Sequence, residues 1–332
     1  DGASEQSVVD HLLLTEIADQ INDVSRVDIV TAGDTTVATL LRSEDAWQVE
    51  QMGGYQADWP KLKALLAALA QARVIETKTD KPGFYERLGV EDVIGQDADS
   101  VLVRVSIGDQ TTGILIGHRA QSRQGQYVRL QNETGSALVD RQFEIPRQTL
   151  DWTDSRIIDV NASEVAEVEI VHPTSERVLV MRISADQTDF DLAGPPSQRE
   201  IKSSWAVNSL GSIFSLLNLE TVRPENSVEW TDAVRMRLLM FSGVEFLADL
   251  VEVGDEYLLR LHATHPAASV LHADSGDSSA QQEIEKQAAD DIALQVENIN
   301  RKVSGWAYGI SKQKYDAMVK KPEDLLKPLE TP

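Results

Sequence analysis

Six histidines, several close carboxylate pairs and one serine–lysine spacing are the places where this sequence could do chemistry. His262-x-x-His265, with His272 and Asp274 following, has the residue types of a metal site. The motif leaves a strand for a proline-containing segment and lacks both an HExxH helix and any cysteine. Two solvent-facing histidines at a strand end are the plainer reading, and no metal is expected. Asp97-x-Asp99 and Asp189-x-Asp191, with Asp186 near the second, are spaced to bind Mg²⁺ or to divide acid and base roles. Both also fall at turns, where aspartate bonds its own backbone. Ser311-Lys312-Gln313-Lys314 has the Ser-x-x-Lys spacing of penicillin-recognising enzymes, without their companion Ser-Asp-Asn or Lys-Thr-Gly. A serine capping a helix, with exposed lysines after it, is the far commoner arrangement and the expected one. Arg104 and Arg237 take equivalent strand positions and could form an anion site between two lobes, or pair with cross-strand acids. Trp47, Trp59, Trp205 and Trp230 could line a ligand cleft between lobes or simply pack. With no phosphate loop, dinucleotide fingerprint or nucleophile elbow, neither a cofactor nor a catalytic set is expected.

The elements that carry these residues occur twice. Val24-x-x-Val27-x-Ile29 returns as Val165-x-x-Val168-x-Ile170. Leu66, Leu69 and Glu76 return as Leu210, Ile213 and Glu220 at an offset of 144, and the strand from Asp99 to Ile107 returns from Asp232 to Met240 at an offset of 133. The first copy therefore holds extra residues between helix and sheet, around Phe84–Val93. Alternating apolar residues predict strands at Val27–Ile29, Thr36–Leu41, Trp47–Val49, Val101–Ile107, Ile114–Ile116, Tyr127–Leu130 and Ala137–Val139. In the second copy they predict Val165–Val171, Val178–Ile183, Asp189–Leu192, Val234–Phe241, Phe246–Val253 and Tyr257–His262. Asp58 and Pro60 open a helix whose stripe is Leu62, Leu65, Leu66 and Leu69. Its counterpart is a helix over Trp205–Leu219, with Leu210, Ile213, Phe214 and Leu217 on one face. Trp152–Asp159 reads as a helical link.

The predicted fold is α+β: two related units, each an antiparallel sheet with a packed helix, plus a C-terminal helix–strand–helix extension. The expected divisions are a lead-in helix over 1–23, units over 24–160 and 161–265, and a linker with extension over 266–332. Ser278 and Gln281 have capping-box spacing ahead of a helix with Ile284, Ala288, Ile292, Val296, Ile299 and Val303 on one face. Trp306-x-Tyr308-x-Ile310 then alternates as a strand, and the segment 304–327 is expected to pack on the body.

The chain has 332 residues, 42% of them hydrophobic, enough for packed cores in two domains. A net charge of −23 argues against nucleic-acid partners and against direct binding to anionic lipid. Zero cysteines exclude disulfides and thiolate chemistry. No run reaches the ~20 apolar residues of a membrane helix. The chain begins at Asp1, and a removed upstream anchor or signal segment is expected before it.

Ala46-Trp47-Gln48-Val49, Tyr55-Gln56-Ala57-Asp58 and Tyr85-x-Arg87-Leu88-Gly89-Val90-x-Asp92 are followed by Trp152-x-Asp154-x-x-Ile157-Ile158-Asp159. The end reads Trp306-x-Tyr308-x-Ile310 and Glu323-Asp324-Leu325-Leu326. In this order the motifs resemble the bacterial family called domain of unknown function 4340, over about residues 20 to 327. Ala46 stands where glycine would be expected before the tryptophan. The resemblance implies an inner-membrane protein with one N-terminal membrane helix and a periplasmic body, beside ABC transporter components of the gliding-motility type. It implies no catalytic residues. The expected function is a non-enzymatic accessory subunit or scaffold of such a transporter. The alternative is a binding protein holding a small molecule or glycan between the lobes.

Overall fold

The computed structural model describes residues 10–44, 46–121, 124–194, 199–265 and 279–328. The chain divides into two compact units, residues 1–155 and 156–332. The first contains β1 (His11–Leu12), α1 (Thr15–Asp19), β2 (Val24–Thr31), β3 (Thr35–Ser43), β4 (Ala46–Val49) and β5 (Tyr55–Gln56). It continues with α2 (Trp59–Gln71), β6 (Arg73–Thr77), α3 (Tyr85–Leu88), β7 (Val101–Ile107), β8 (Gln110–Arg119), β9 (Gln126–Leu130) and β10 (Ser136–Val139). The second contains β11 (Arg156–Ile158), β12 (Val165–Val171), β13 (Arg177–Met181), β14 (Asp191–Leu192), α4 (Ser204–Asn208), β15 (Leu217–Asn218) and β16 (Thr221–Pro224). It ends with β17 (Val234–Met240), β18 (Glu245–Val253), β19 (Glu256–Thr264), α5 (Ser279–Val303), β20 (Trp306–Gly309), α6 (Lys312–Met318) and α7 (Pro322–Leu325).

The fold is α+β, with antiparallel pairing throughout both large sheets. The first sheet runs β1-β6-β10-β9-β8-β7-β2-β3-β4-β5. The second runs β16-β20-β19-β18-β17-β12-β13-β14, so each of its strands takes the place of the first-sheet strand numbered ten lower.

In the first unit Asp58 caps α2, its carboxylate accepting the Lys61 N–H at 3.0 Å. Leu62, Leu65, Leu66 and Leu69 bury the helix stripe among the inward residues of the sheet, Val27, Ile29, Val103, Val105, Ile114 and Ile116. The opposite face of this sheet is covered too. Val93, from the segment between α3 and β7, closes a second small core with Val30, Leu102 and Leu115. The first residues of this segment, through Val93, fall in the extra material that the sequence offset placed around Phe84–Val93.

The second unit departs from expectation at its helix. The stretch expected as one helix over Trp205–Leu219 is α4, a 3₁₀ turn over Ser209–Ser212, and β15. Ser209 and Ser212 Oγ donate to the carbonyls of Ala206 and Ser209, competing with the helical ladder. Gly211 and a left-handed Leu216 (φ 48°) complete the break. Leu210, Ile213, Phe214 and Leu217 are nonetheless all buried, and Phe214 meets Phe246 edge-on at 5.7 Å. The expected helical link Trp152–Asp159 is instead the end of a 3₁₀ turn followed by β11, which pairs with β15. In the lead-in, the described helix is confined to Thr15–Asp19, and Ile17 buries it.

The expected C-terminal extension supplies an interior strand. β20 lies between β19 and β16, and Ala307, Tyr308 and Ile310 are buried. β20 pairs with β19 only at Leu258 and Leu259. Further along, the Asn300 amide closes the β19 edge: Oδ1 accepts the Ala263 N–H at 2.8 Å and Nδ2 donates to the Ala263 carbonyl at 2.7 Å. On α5, Val303 is buried, Ile292, Val296 and Ile299 are half-buried, and Ala288 is exposed. The linker over 266–278, including Ser278, and the Ile284 side chain lie outside the described residues.

Candidate functional site

Among the described residues nothing covers the outer face of the second sheet, and the residues on it are fixed by strand register. One row across it reads Val171, Arg235, Asp249 and Arg260, on β12, β17, β18 and β19. The next reads Glu169, Arg237, Leu247 and His262. These rows, with Glu225 and the Ser304–Gly305 corner after α5, line a cavity of about 750 Å³. Alternation puts Met236, Leu238, Ala248 and Leu261 on the other, buried face, so the fold leaves this side free to carry charge.

The corresponding row of the first sheet reads Val30, Leu102, Leu115 and Arg129. Its first three members are buried under Val93. Arg129, with a side chain only 5% exposed, clamps the covering segment. Its Nε donates to the Val90 carbonyl at 2.9 Å and its Nη2 to Asp92 at 2.6 Å, while Tyr85 lies under the guanidinium at 4.4 Å. Arg260 holds the same register place in the second unit. It donates to Asp249 at 2.7 Å, sits 3.8 Å from Glu225, and stacks on Trp230 at 4.9 Å. One arginine thus holds down a cover, and its counterpart stands over an open trough with side-chain exposure of 36%.

Arg237 donates to Glu169 at 3.1 Å, to Glu245 at 3.0 Å and to Glu167. Among the described residues the Arg235 side chain makes no hydrogen bond or ion pair, and the residue is exposed. The cavity therefore combines engaged arginine–carboxylate pairs with one uncommitted guanidinium, beside the apolar side chains of Val171 and Leu247. Such a surface binds by shape, apolar contact and directed hydrogen bonds.

Of the residues singled out in the sequence, Arg237 lines this cavity and Trp230 backs it through Arg260. Trp230 is pinned by its own Nε1, which donates to the Glu225 carbonyl at 3.1 Å. Arg104 belongs to the first unit, where its Nε donates to Gln131 at 3.3 Å and its Nη2 lies 3.8 Å from Asp34. Trp47 and Trp59 stack at 6.3 Å beside a smaller first-unit cavity. Trp205 lies in a different groove of the second unit, of about 820 Å³, where it is 78% exposed and Leu216 is 58% exposed. Lys314 Nζ supports that groove by donating to the carbonyls of Ile213 (3.2 Å) and Ser215 (2.7 Å). Burial holds the pKa of Lys314 below the usual lysine value.

Of the remaining candidates, Ser311, Asp189, Asp191, Asp99 and His265 have structural partners. Ser311 Oγ accepts the Lys314 N–H and caps α6, while the Lys314 ammonium points to the two carbonyls just named. Asp189 accepts from Asn208, and Asp191 from Gln187. His118 meets Asp99 at 3.3 Å, and the Asp99 N–H is taken by Glu91. His265 Nδ1 lies 3.0 Å from the Gly243 carbonyl, whereas His262 faces the open cavity. His272 and Asp274 lie outside the described residues. Among the described residues no group of three or more histidines and carboxylates is placed to hold a metal.

Sequence reasoning missed Arg129, Arg235 and Arg260. A signal existed: Val128-Arg129-Leu130 returns as Leu259-Arg260-Leu261, a third strand of the repeated pattern.

A family model described as Domain of unknown function (DUF4340) matches residues 47–232. Of the cavity lining, Glu169, Val171 and Glu225 fall inside that match, and β17, β18 and β19 lie beyond it. No curated protein and no solved structure matches the chain.

Proposed function

The chain belongs to this DUF4340 family, and from that premise we propose that it is a non-catalytic accessory subunit of an ABC-type transport complex. Its body stands on the periplasmic side of the inner membrane, and the open face of the second sheet docks a partner subunit. The observation that carries the reading is the contrast between the two sheets. One outer row is sealed by Val93, and the row in the same register place is open and lined by arginines. We further read the two units as copies of one ancestral unit. The shared strand order and the recurring arginine at Arg129 and Arg260 support this. Among the described residues no helix is long and apolar enough to cross a membrane.

The test is co-purification of the full-length protein from detergent-extracted membranes. Transporter subunits are expected in the eluate, and Arg235→Glu should reduce their recovery at least tenfold with the protein's own yield unchanged. Arg235 is exposed, and its side chain is unpaired among the described residues, so its substitution leaves the core intact. In osmotically opened cells the body should also be cut by added protease. Equal recovery with Arg235→Glu would remove the open face from the interface, and a protected body would remove the periplasmic placement. A second reading, a small-molecule site on the same face, is favoured by the volume of about 750 Å³.

A further inference from the structure

The first unit carries its own answer to what such a face accepts. There the cover is the irregular segment from Val90 to Gly95, and its contacts are of three kinds. Val93 lies on the apolar row. The Asp92 carboxylate and the Val90 carbonyl accept from the row's arginine, Arg129. The carbonyls of Val93 and Gly95 accept the N–H groups of Asp34 and Gly33, at 2.9 and 3.0 Å, in the turn between β2 and β3.

The second unit retains the receiving half of this arrangement. Arg260 stands where Arg129 stands, with Trp230 against its guanidinium as Tyr85 is against that of Arg129. Val171 takes the place of Val30. One position changes character: Arg235 occupies the place of Leu102. The carboxylates around it are already engaged, Asp249 by Arg260 and Glu169 by Arg237. A carboxylate entering this row would therefore meet a guanidinium that needs no existing pair broken.

We propose that the open face of the second unit takes an irregular segment of a partner polypeptide in which a carboxylate neighbours a β-branched side chain. This is the chemistry that Asp92-Val93 supplies to the first unit. The inference rests on the reading of this face as a partner-docking surface and adds the class of segment docked. The carboxylate pairs with Arg235 and the apolar side chain rests between Val171 and Leu247. The chain's net charge of −23 opposes an acidic segment at long range. Physiological salt confines that opposition to about 8 Å, within which the directed Arg235 contact decides.

The probe is a fluorescently labelled peptide with the sequence of residues 88–97, titrated into the full chain and followed by anisotropy. Saturable binding is expected, weakened at least tenfold by Arg235→Glu in the protein and by lysine at the Asp92 position of the peptide. The first unit is unchanged in Arg235→Glu, so the loss assigns binding to the second. Absence of saturable binding, or binding indifferent to Arg235→Glu, overturns the proposal. So does displacement of the peptide by an equal concentration of acetate, which would reduce the site to a simple anion site. If the peptide fails to bind while recovery of transporter subunits still depends on Arg235, this inference falls and the partner-docking reading stands.

Discussion

Arg129→Ala is expected to destabilise the first unit by about 4 kcal/mol, from lost charge-assisted hydrogen bonds of roughly 1.5–3 kcal/mol each and a desolvated cation–π contact of about 2 kcal/mol. The terms are not additive, because the alanine variant frees the covering segment to relax. The Val90 carbonyl loses its donor and Asp92 its cation. Val93 is then held over Val30, Leu102 and Leu115 by fewer ties, so part of that small core is exposed as well. Arg260→Ala, at the same register place, should cost only about 1 kcal/mol, as exposed pairs do. Its side chain is 36% exposed and clamps no cover. Denaturant unfolding of the two variants against the parent measures both values. Equal costs would mean that the two arginines do the same work and that the contrast between the faces is illusory.

Removal of residues 304–332 is expected to abolish cooperative unfolding of the second unit. β20 separates β19 from β16, so its loss leaves two unpaired edges inside what was a continuous sheet. It also strips away the buried side chains of Ala307, Tyr308, Ile310, Tyr315, Met318, Leu325 and Leu326. A milder form is Tyr308→Ala. Tyr308 is fully buried, in register with Leu259 on one side and Val222 on the other. Truncating so large a buried side chain costs about 3–5 kcal/mol. Differential scanning calorimetry should show the second unit's transition missing in the deletion and several degrees lower in Tyr308→Ala. An unchanged transition in the deletion would place the C-terminal strand outside the stable sheet.

Much of this fold was legible because strand alternation and helix spacing are local. The runs at Val101–Ile107 and Val165–Val171 are strands, and Asp58 with Pro60 begins α2 as capping chemistry requires. The second helix was misjudged because its apolar spacing is helical while its serines and Gly211 are not helix formers. Burial of Leu210, Ile213 and Phe214 is satisfied by the shorter turn, so periodicity alone could not fix its length. Trp152–Asp159 was misread because Trp152 is buried by tertiary packing, its Nε1 bonded to the Pro146 carbonyl, and not by a helix stripe.

The candidate site was harder to see. Arg237 was found through its repeat with Arg104, but its meaning depends on what covers each face, and that is a property of the segment between α3 and β7. The offset showed that this segment was extra without showing where it lies. The offset of 133 also aligns Arg235 with Leu102, but that Leu102 is covered by Val93 while Arg235 is exposed is a non-local relation that no window along the chain contains. From sequence, the four tryptophans suggest one possible cleft. The structure instead places Trp47 with Trp59, Trp205 in its own groove, and Trp230 behind Arg260.

Site-specific photo-crosslinking in intact cells tests most directly whether the open face is where a partner docks. A photoreactive residue would replace Leu247 or His262 on that face, leaving Arg235 in place, and Asp109, in the turn between β7 and β8, as the control. Light-dependent adducts to a transporter subunit are predicted at 247 and 262 and not at 109. Adducts of equal yield at all three positions, or none at 247 and 262 from a stably expressed protein, would contradict the account.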